Sequence, residues 1–204
     1  LMGQHVNYKL RYRTKQARFW ASSYEDKRPE LTNAQRKMLS HYDNATLYND
    51  SIVAQIVKRF QKQDAIVIYV PDHGEECYEE NRGFICRNHS AEIDWPLAHY
   101  EFEIPFWIYC SPKYIRNHRD IYRQIRKAKD KRFMTDALPH LLLYLAGIET
   151  PTYKEEYNIL SPKYDEMRPR ILKNSADYDK LRDAHLEKIK KEESKKVKKK
   201  ERRN

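Results

Sequence analysis

Asp72, His73, Gly74 and Glu75 stand in one unbroken run, directly after the apolar segment Ala65–Val70 and Pro71. A carboxylate and an imidazole side by side are both zinc ligands, one through oxygen and the other through a neutral ring nitrogen. An imidazole can also hold or pass a proton near neutral pH. Gly74 allows the backbone to turn there without a Cβ in the way. Three residues recur by chance, and a polar turn after a strand is the competing explanation. Position favours chemistry. AIVIYV is a short, continuous apolar run rich in β-branched residues, which suits a strand of a parallel sheet covered on both faces. In such sheets ligands bind just beyond the carboxyl ends of the strands.

The elements that must hold this turn can be read on either side of it. The stretch from Pro29 to Thr32 opens a helix, with Thr32 or Asn33 as its cap. Apolar residues then recur at helical spacing to about Gln61 (Met38, Tyr42, Ala45, Tyr48 or Asn49, Ile52, Ile56, Phe60), which predicts a long amphipathic helix, broken at most once. Before it, Lys9–Tyr24 is basic and aromatic without a clean period, and is expected to be an irregular surface segment. After the turn, Cys77–Tyr100 reads as a polar loop carrying His89 and His99. Ile104–Tyr109 (IPFWIY) reads as a second buried strand ended by Ser111-Pro112. Tyr114–Lys129 reads as a basic surface helix. Phe133–Gly147 reads as a helix capped at Thr135 and stopped at Gly147, with Leu138, Leu141, Leu142 and Leu145 on its core side. His41 and His140 are expected to be structural. Thr150–Ser175 is Pro- and Tyr-rich and is expected to be extended. Tyr178–Asn204 reads as a lysine-rich helix or tail.

The 204 residues suffice for one domain with a real core. Mean hydropathy is −0.99, and no apolar run approaches the ~20 residues of a membrane span. The chain opens on Leu1 with what reads as a strand end, so a fragment of a longer protein is expected. Of the net charge of +10, Glu187–Asn204 carries +6, so the basicity is mostly a tail. Three cysteines, Cys77, Cys86 and Cys110, contain no C-x-x-C. A Cys77–Cys86 pair and two free, partly buried thiols both remain open. Phosphate-cradling glycine loops and a G-x-S-x-G elbow are absent. Cys110-Ser111-Pro112-Lys113-Tyr114 is a near-miss to the C-x-P-x-R signature of sulfatases. It lacks the arginine and follows the D-H-G turn instead of preceding it, so it reads as a strand end.

Taken in order, LMGQHVNYKLRY, HYDNATLYNDSIVAQIV, IVIYVPDHGEE, the His89 loop, EIPFWIY and FMTDALPHLLLYLAGI resemble the periplasmic catalytic domain of lipopolysaccharide phosphoethanolamine transferases. These belong to the alkaline phosphatase and sulfatase superfamily. The resemblance covers residues 1–175, as the C-terminal part of that domain, and leaves 176–204 as a basic helical or disordered tail. It implies part of an α/β fold, a three-layer α/β/α sandwich. It also implies that Asp72 and His73 ligate a catalytic Zn2+. His5, in the Gly3-Gln4-His5 segment, matches a histidine near the substrate phosphate or a second zinc. His89 matches the later histidine of the loop, with His99 as a competing candidate, and Glu75 takes a supporting place at the substrate.

The implied reaction moves phosphoethanolamine from phosphatidylethanolamine, through a covalent threonine intermediate, to lipid A or core oligosaccharide of lipopolysaccharide. The family's threonine and an acidic zinc ligand lie upstream of the Gly3-Gln4-His5 segment, as do its membrane helices. Thr14, Thr32 and Thr46 are in the wrong places to substitute, so the chain alone is expected to be inactive. An inner-membrane protein with this domain in the periplasm is implied, as a monomer that binds no nucleic acid. Three other readings stay open. One is a sulfatase- or phosphodiesterase-like hydrolase of the same superfamily, with water as acceptor. Another is a non-enzymatic basic protein that binds an anionic surface through its tail. The last is a truncated product without function.

Overall fold

A computed structural model of the chain describes residues 5, 7–83, 85, 86 and 92–201. In chain order these form α1 (Asn33–Phe60), β1 (Ile66–Tyr69), β2 (Glu76–Cys77), β3 (Ile85–Cys86), α2 (Trp95–Phe102), β4 (Trp107–Cys110), α3 (Pro112–Asn117), α4 (Arg119–Ala128), α5 (Leu138–Ala146), β5 (Ile171–Leu172), β6 (Ala176–Asp177) and α6 (Tyr178–Glu201). They fall into two compact units. One takes the described residues of Leu1–Ala91 with His99–Lys113, and the other takes Glu92–Ala98 with the chain from Tyr114 onward.

In the first unit α1 is the longest element, and local chemistry sets where it starts. The Thr32 hydroxyl accepts from the Gln35 backbone N–H, and the Gln35 side chain accepts from the Thr32 N–H. This reciprocal cap satisfies two donors that a helix start otherwise leaves open, a gain of about 1 kcal/mol. The helix runs unbroken to Phe60. Its buried side is Leu39, Ser40, Asn44, Ala45, Asn49 and Val53, whereas Met38 and Phe60 are exposed. The expected stripe is thus rotated: Ala45 and Asn49 are buried as expected, but polar Asn44 also faces inward. Asn44 explains why. Its Oδ1 accepts from the Arg18 and Phe19 N–H groups at 2.6 and 3.1 Å, and its Nδ2 donates to the Phe19 and Ser40 carbonyls at 2.8 and 2.7 Å. One buried amide therefore satisfies the irregular chain laid against it. That chain is three 3-10 turns, Tyr8–Leu10, Thr14–Gln16 and Ala21–Tyr24. It is not simply a surface segment, since Tyr8 and Tyr24 are buried and Tyr24 donates to Asp43. Tyr24 joins Leu31, Leu39, Cys77 and Tyr78 in a core cluster, with Phe19 and Tyr42 packed against it.

β1 pairs with β4, and the ladder is antiparallel, Ile66 opposite Cys110 and Tyr69 opposite Trp107. Among the described residues the partner of β1 is thus antiparallel, where the apolar run suggested a parallel one. A covered strand and a half-covered one read alike when every residue is apolar, and each β1 residue is in fact half-buried. Tyr69 and Trp107 stack across the ladder with ring centroids 5.2 Å apart, a favourable cross-strand pair. Beyond the strand, Ser111 is fully buried, its N–H donating to the Ala65 carbonyl at 3.0 Å and its Oγ to the Gln63 carbonyl at 2.6 Å. The near-miss to a sulfatase signature is therefore a strand end.

The second unit carries α4, α5 and α6. The expected basic helix is two, α3 and α4, separated at His118, which stacks on Tyr114 at 4.3 Å. Gly147 ends α5 at φ 66°, a left-handed turn that costs glycine nothing. Leu141 is fully buried but Leu142 is exposed, so the core side of α5 is narrower than its leucine content suggests. His140 is structural: its Nδ1 accepts from the Lys154 N–H at 3.1 Å. α6 begins docked, with Tyr178 buried and Asp179 paired to Arg170, Arg132 and Arg182. From Leu186 to Lys196 every residue is exposed. No helix among the described residues is long and apolar enough to cross a membrane.

Candidate functional site

β1 delivers the chain to Pro71, and the turn that follows lines a cavity of about 670 Å³ in the first unit. Asp72 is almost fully exposed, while the His73 side chain keeps only 15% of its surface. The His73 backbone N–H donates to Asp72 Oδ1 at 3.2 Å. His73 Nδ1 lies 2.7 Å from the Gly74 carbonyl. A carbonyl only accepts, so Nδ1 carries the proton and Nε2 keeps its lone pair. This is the arrangement that orients an imidazole for a metal. Nε2 in turn lies 3.7 Å from Asp72 Oδ2. A zinc ion holds nitrogen and oxygen at about 2.0–2.2 Å each, so one ion can reach both atoms. The pair therefore fits zinc as two of its ligands. Groups of three or more candidate ligands are absent among the described residues.

Gly74 is needed for a close approach. A Cβ built on it would lie 2.2 Å from the Tyr100 carbonyl oxygen. The Gly74 N–H donates to the Glu101 carbonyl at 2.8 Å. The turn is thus pressed onto the backbone of α2, which sets the direction in which His73 leaves the chain.

His5 and Glu75 line the same cavity as Asp72 and His73. The link between them is Tyr8, which is buried and donates its hydroxyl to Glu75 Oε2 at 2.6 Å. Tyr8 also packs edge-on against Tyr42 of α1, with centroids 5.3 Å apart. Glu75 therefore ties the His5 segment to the Asp72–His73 turn across 67 residues of sequence. His89 lies outside the described residues, as do Leu1–Gln4. His99, its competitor, pairs with Glu103 at 2.9 Å. The expected loop from Cys77 to Tyr100 instead contains the β2–β3 hairpin and most of α2, because the Asp94 carboxylate accepts from the Leu97 N–H and starts a helix there.

Sequence reasoning missed Tyr8, Tyr100 and Glu103 as neighbours of the turn. No spacing signals them, since Tyr8 precedes α1 and Tyr100 and Glu103 lie in and just after α2, both far from the turn in sequence. Cys77 and Cys110 are buried free thiols, and the hairpin register sets Cys77 opposite Ile85. Burial, reinforced by Glu79 and Glu75, pushes the Cys77 thiol far above its ordinary range, so it is an unreactive core group.

Residues 1–148 match the family described as Sulfatase. The chain is 31% identical over 169 residues to "Phosphoethanolamine transferase EptC" of Escherichia coli O18:K1:H7 (strain RS218 / NMEC), covering 81% of this chain and 28% of that protein. It is 30% identical over 133 residues to "Kdo(2)-lipid A phosphoethanolamine 7''-transferase" of Escherichia coli K12, covering 64% and 22%. Among solved structures it is similar to the C-terminal periplasmic domain of EcEptC from Escherichia coli in complex with Zn. The TM-score is 0.69 and the identity 28%, over 88% of this chain and 50% of that one. The chain spans less than a third of the length of these curated relatives. The α/β, sulfatase-like fold expected from the motifs, in part, is thereby borne out. On the match over residues 1–148 and the shared fold, the chain belongs to the sulfatase family.

Proposed function

We propose that the protein containing this chain is a zinc-dependent phosphoethanolamine transferase that modifies lipopolysaccharide. One observation carries the reading: Asp72 Oδ2 and a tautomer-fixed His73 Nε2 stand 3.7 Å apart at the edge of a cavity shared with His5. The likeness to proteins named as phosphoethanolamine transferases supports the group transferred. The Zn-bound neighbour supports the metal.

In this reading Asp72 and His73 hold zinc, which when bound lowers the pKa of a nucleophile and stabilises charge on phosphoryl oxygens. Gly74 and the Glu101 carbonyl keep the His73 imidazole aimed. Tyr8 and Glu75 hold the His5 segment over the cavity, where the exposed imidazole can donate to a phosphoryl oxygen or carry a proton. His89 takes a similar place at the substrate. A threonine upstream of residue 1 attacks the phosphorus of phosphatidylethanolamine. The phosphorus–oxygen bond to diacylglycerol breaks, and diacylglycerol leaves with a proton. An oxygen of lipid A or core oligosaccharide then takes the phosphoethanolamine group and frees the threonine. Residues 1–175 serve as the catalytic portion and 176–204 as a basic tail. The whole protein sits in the inner membrane, as a monomer, with this portion in the periplasm. The chain by itself lacks the nucleophile and is inactive.

The test incubates the natural full-length protein with phosphatidylethanolamine and lipid A and follows phosphoethanolamine on the lipid by mass spectrometry. Wild type should add the group, and Asp72→Asn and His73→Ala should each lose at least about 10²-fold in rate. Release of phosphoethanolamine to water without transfer would favour the hydrolase. Transfer undiminished in both variants would refute the site, and transfer by the 204-residue chain alone would refute the upstream nucleophile.

A further inference from the structure

The cavity beside Asp72 and His73 has a charge opposite to that of the chain. The sequence holds 40 lysines and arginines, yet none of them is among the described residues lining the cavity. Three carboxylates are there instead: Asp72, Glu75 and Glu103. Two of them are committed by the geometry above, Asp72 beside His73 Nε2 and Glu75 to the Tyr8 hydroxyl. Glu103 follows α2 directly and lines the same cavity. His99 Nδ1 lies 2.9 Å from its Oε1. A carboxylate can accept about four hydrogen bonds in all. Tyr69 and Tyr100 supply aromatic walls to the same cavity. Burial, then Glu80, Glu79 and Glu76, push the Tyr100 phenol above its ordinary range, as a negative local potential would.

An unaided phosphate diester would be repelled by such a lining. A zwitterion suits it. The phosphoryl group belongs at the Asp72–His73 end, and a primary ammonium two methylenes away belongs against a carboxylate in a cavity that aromatic rings also line. We propose that Glu103 reads the ammonium of the phosphoethanolamine donor and so sets its headgroup specificity. This rests on the transferase reading above and deepens it. A primary ammonium offers three donors to the carboxylate and the tyrosine hydroxyls. A trimethylated headgroup offers none, and a neutral ethyl headgroup has no charge to place.

Two p-nitrophenyl phosphodiesters that differ only in the headgroup, aminoethyl against ethyl, test this on the full-length protein with zinc bound. Glu103 is partly exposed, so the ammonium should bring a preference of roughly three- to tenfold in kcat/KM. Glu103→Gln should remove that preference by raising KM for the aminoethyl ester, and leave the ethyl ester unchanged. Glu103→Asp should keep part of it. Unchanged turnover of the ethyl ester also reports that the variant is folded. If wild type prefers the aminoethyl ester and Glu103→Gln prefers it equally, the assignment of Glu103 falls while the transferase stands. If Glu103→Gln loses both esters alike, Glu103 is structural and the assignment falls. If wild type acts on neither ester, the transferase reading fails and takes this inference with it.

Discussion

Replacing Gly74 by alanine tests how the turn proposed to bind zinc is held. The added Cβ would lie 2.2 Å from the Tyr100 carbonyl oxygen, while ordinary contact begins near 3.4 Å. The obstructing atom is backbone, part of α2, and cannot rotate away as a side-chain end could. Turn and helix must therefore separate by about 1 Å. That separation breaks or stretches the bond from the Gly74 N–H to the Glu101 carbonyl, 2.8 Å in the native chain, at about 1 kcal/mol. The forced repacking adds about 1–3 kcal/mol. The expected loss is about 2–4 kcal/mol, a large share of the ~5–15 kcal/mol that stabilises a domain. In urea, followed by tryptophan fluorescence, the midpoint should fall by about 1 M at an ordinary m value. His73 leaves the chain one residue earlier, so zinc affinity, read by competition with a chromophoric chelator, should fall as well. A displacement of this size at a reacting group can cost about 10²-fold in rate. An alanine variant with the native midpoint and the native zinc affinity would refute the reasoning, because the close approach would then be of no consequence.

Two further substitutions probe the scaffold, one in each unit. Asn44→Ala strips partners from the Arg18 N–H, the Phe19 N–H and the Phe19 carbonyl at once. It should destabilise by about 2–4 kcal/mol in the same denaturation assay, and Asn44→Asp, which keeps the acceptor, should recover part of that. A neutral result would mean that water replaces the amide freely. Asp179 gives a pH dependence. Its hydrogen bonds from Arg170, with Arg132 and Arg182 close by, hold its carboxyl below the ordinary carboxylate value. A lowered folded-state pKa stabilises the fold fully above the unfolded value, about pH 3.9, and that contribution disappears as the pH falls through the folded value. The acid limb of the stability profile should therefore flatten in Asp179→Asn below about pH 4. An unchanged acid limb would show that these ion pairs contribute nothing there.

Much of this arrangement is written in short stretches of chain. Thr32 and Gln35 state where α1 begins, because a helix start needs acceptors for its open N–H groups, and two residues three apart supply them. Gly147 states where α5 ends, since only a residue without Cβ enters the left-handed turn freely. Asp72 and His73 are neighbours in sequence, so their capacity to share one ion needs no folding to be suspected, and the ordered motifs around them carry the family. The tertiary structure decided the rest. An all-apolar strand carries no alternation, so AIVIYV could not tell a parallel partner from the antiparallel β4, nor full from half burial. The helical stripe of α1 misled by about one residue because Asn44 is buried for its hydrogen bonds, and polarity alone would turn it outward. Leucines at 141 and 142 look alike, yet one is sealed and the other open, since only the neighbours decide which side of a short helix is covered. Tyr8 reaches Glu75 from 67 residues away, and Glu103 arrives from beyond α2. No local rule joins them to the turn. Their meeting depends on how the backbone closes around the cavity, and that closure brings Glu75 and Glu103 to the same cavity as Asp72 and His73.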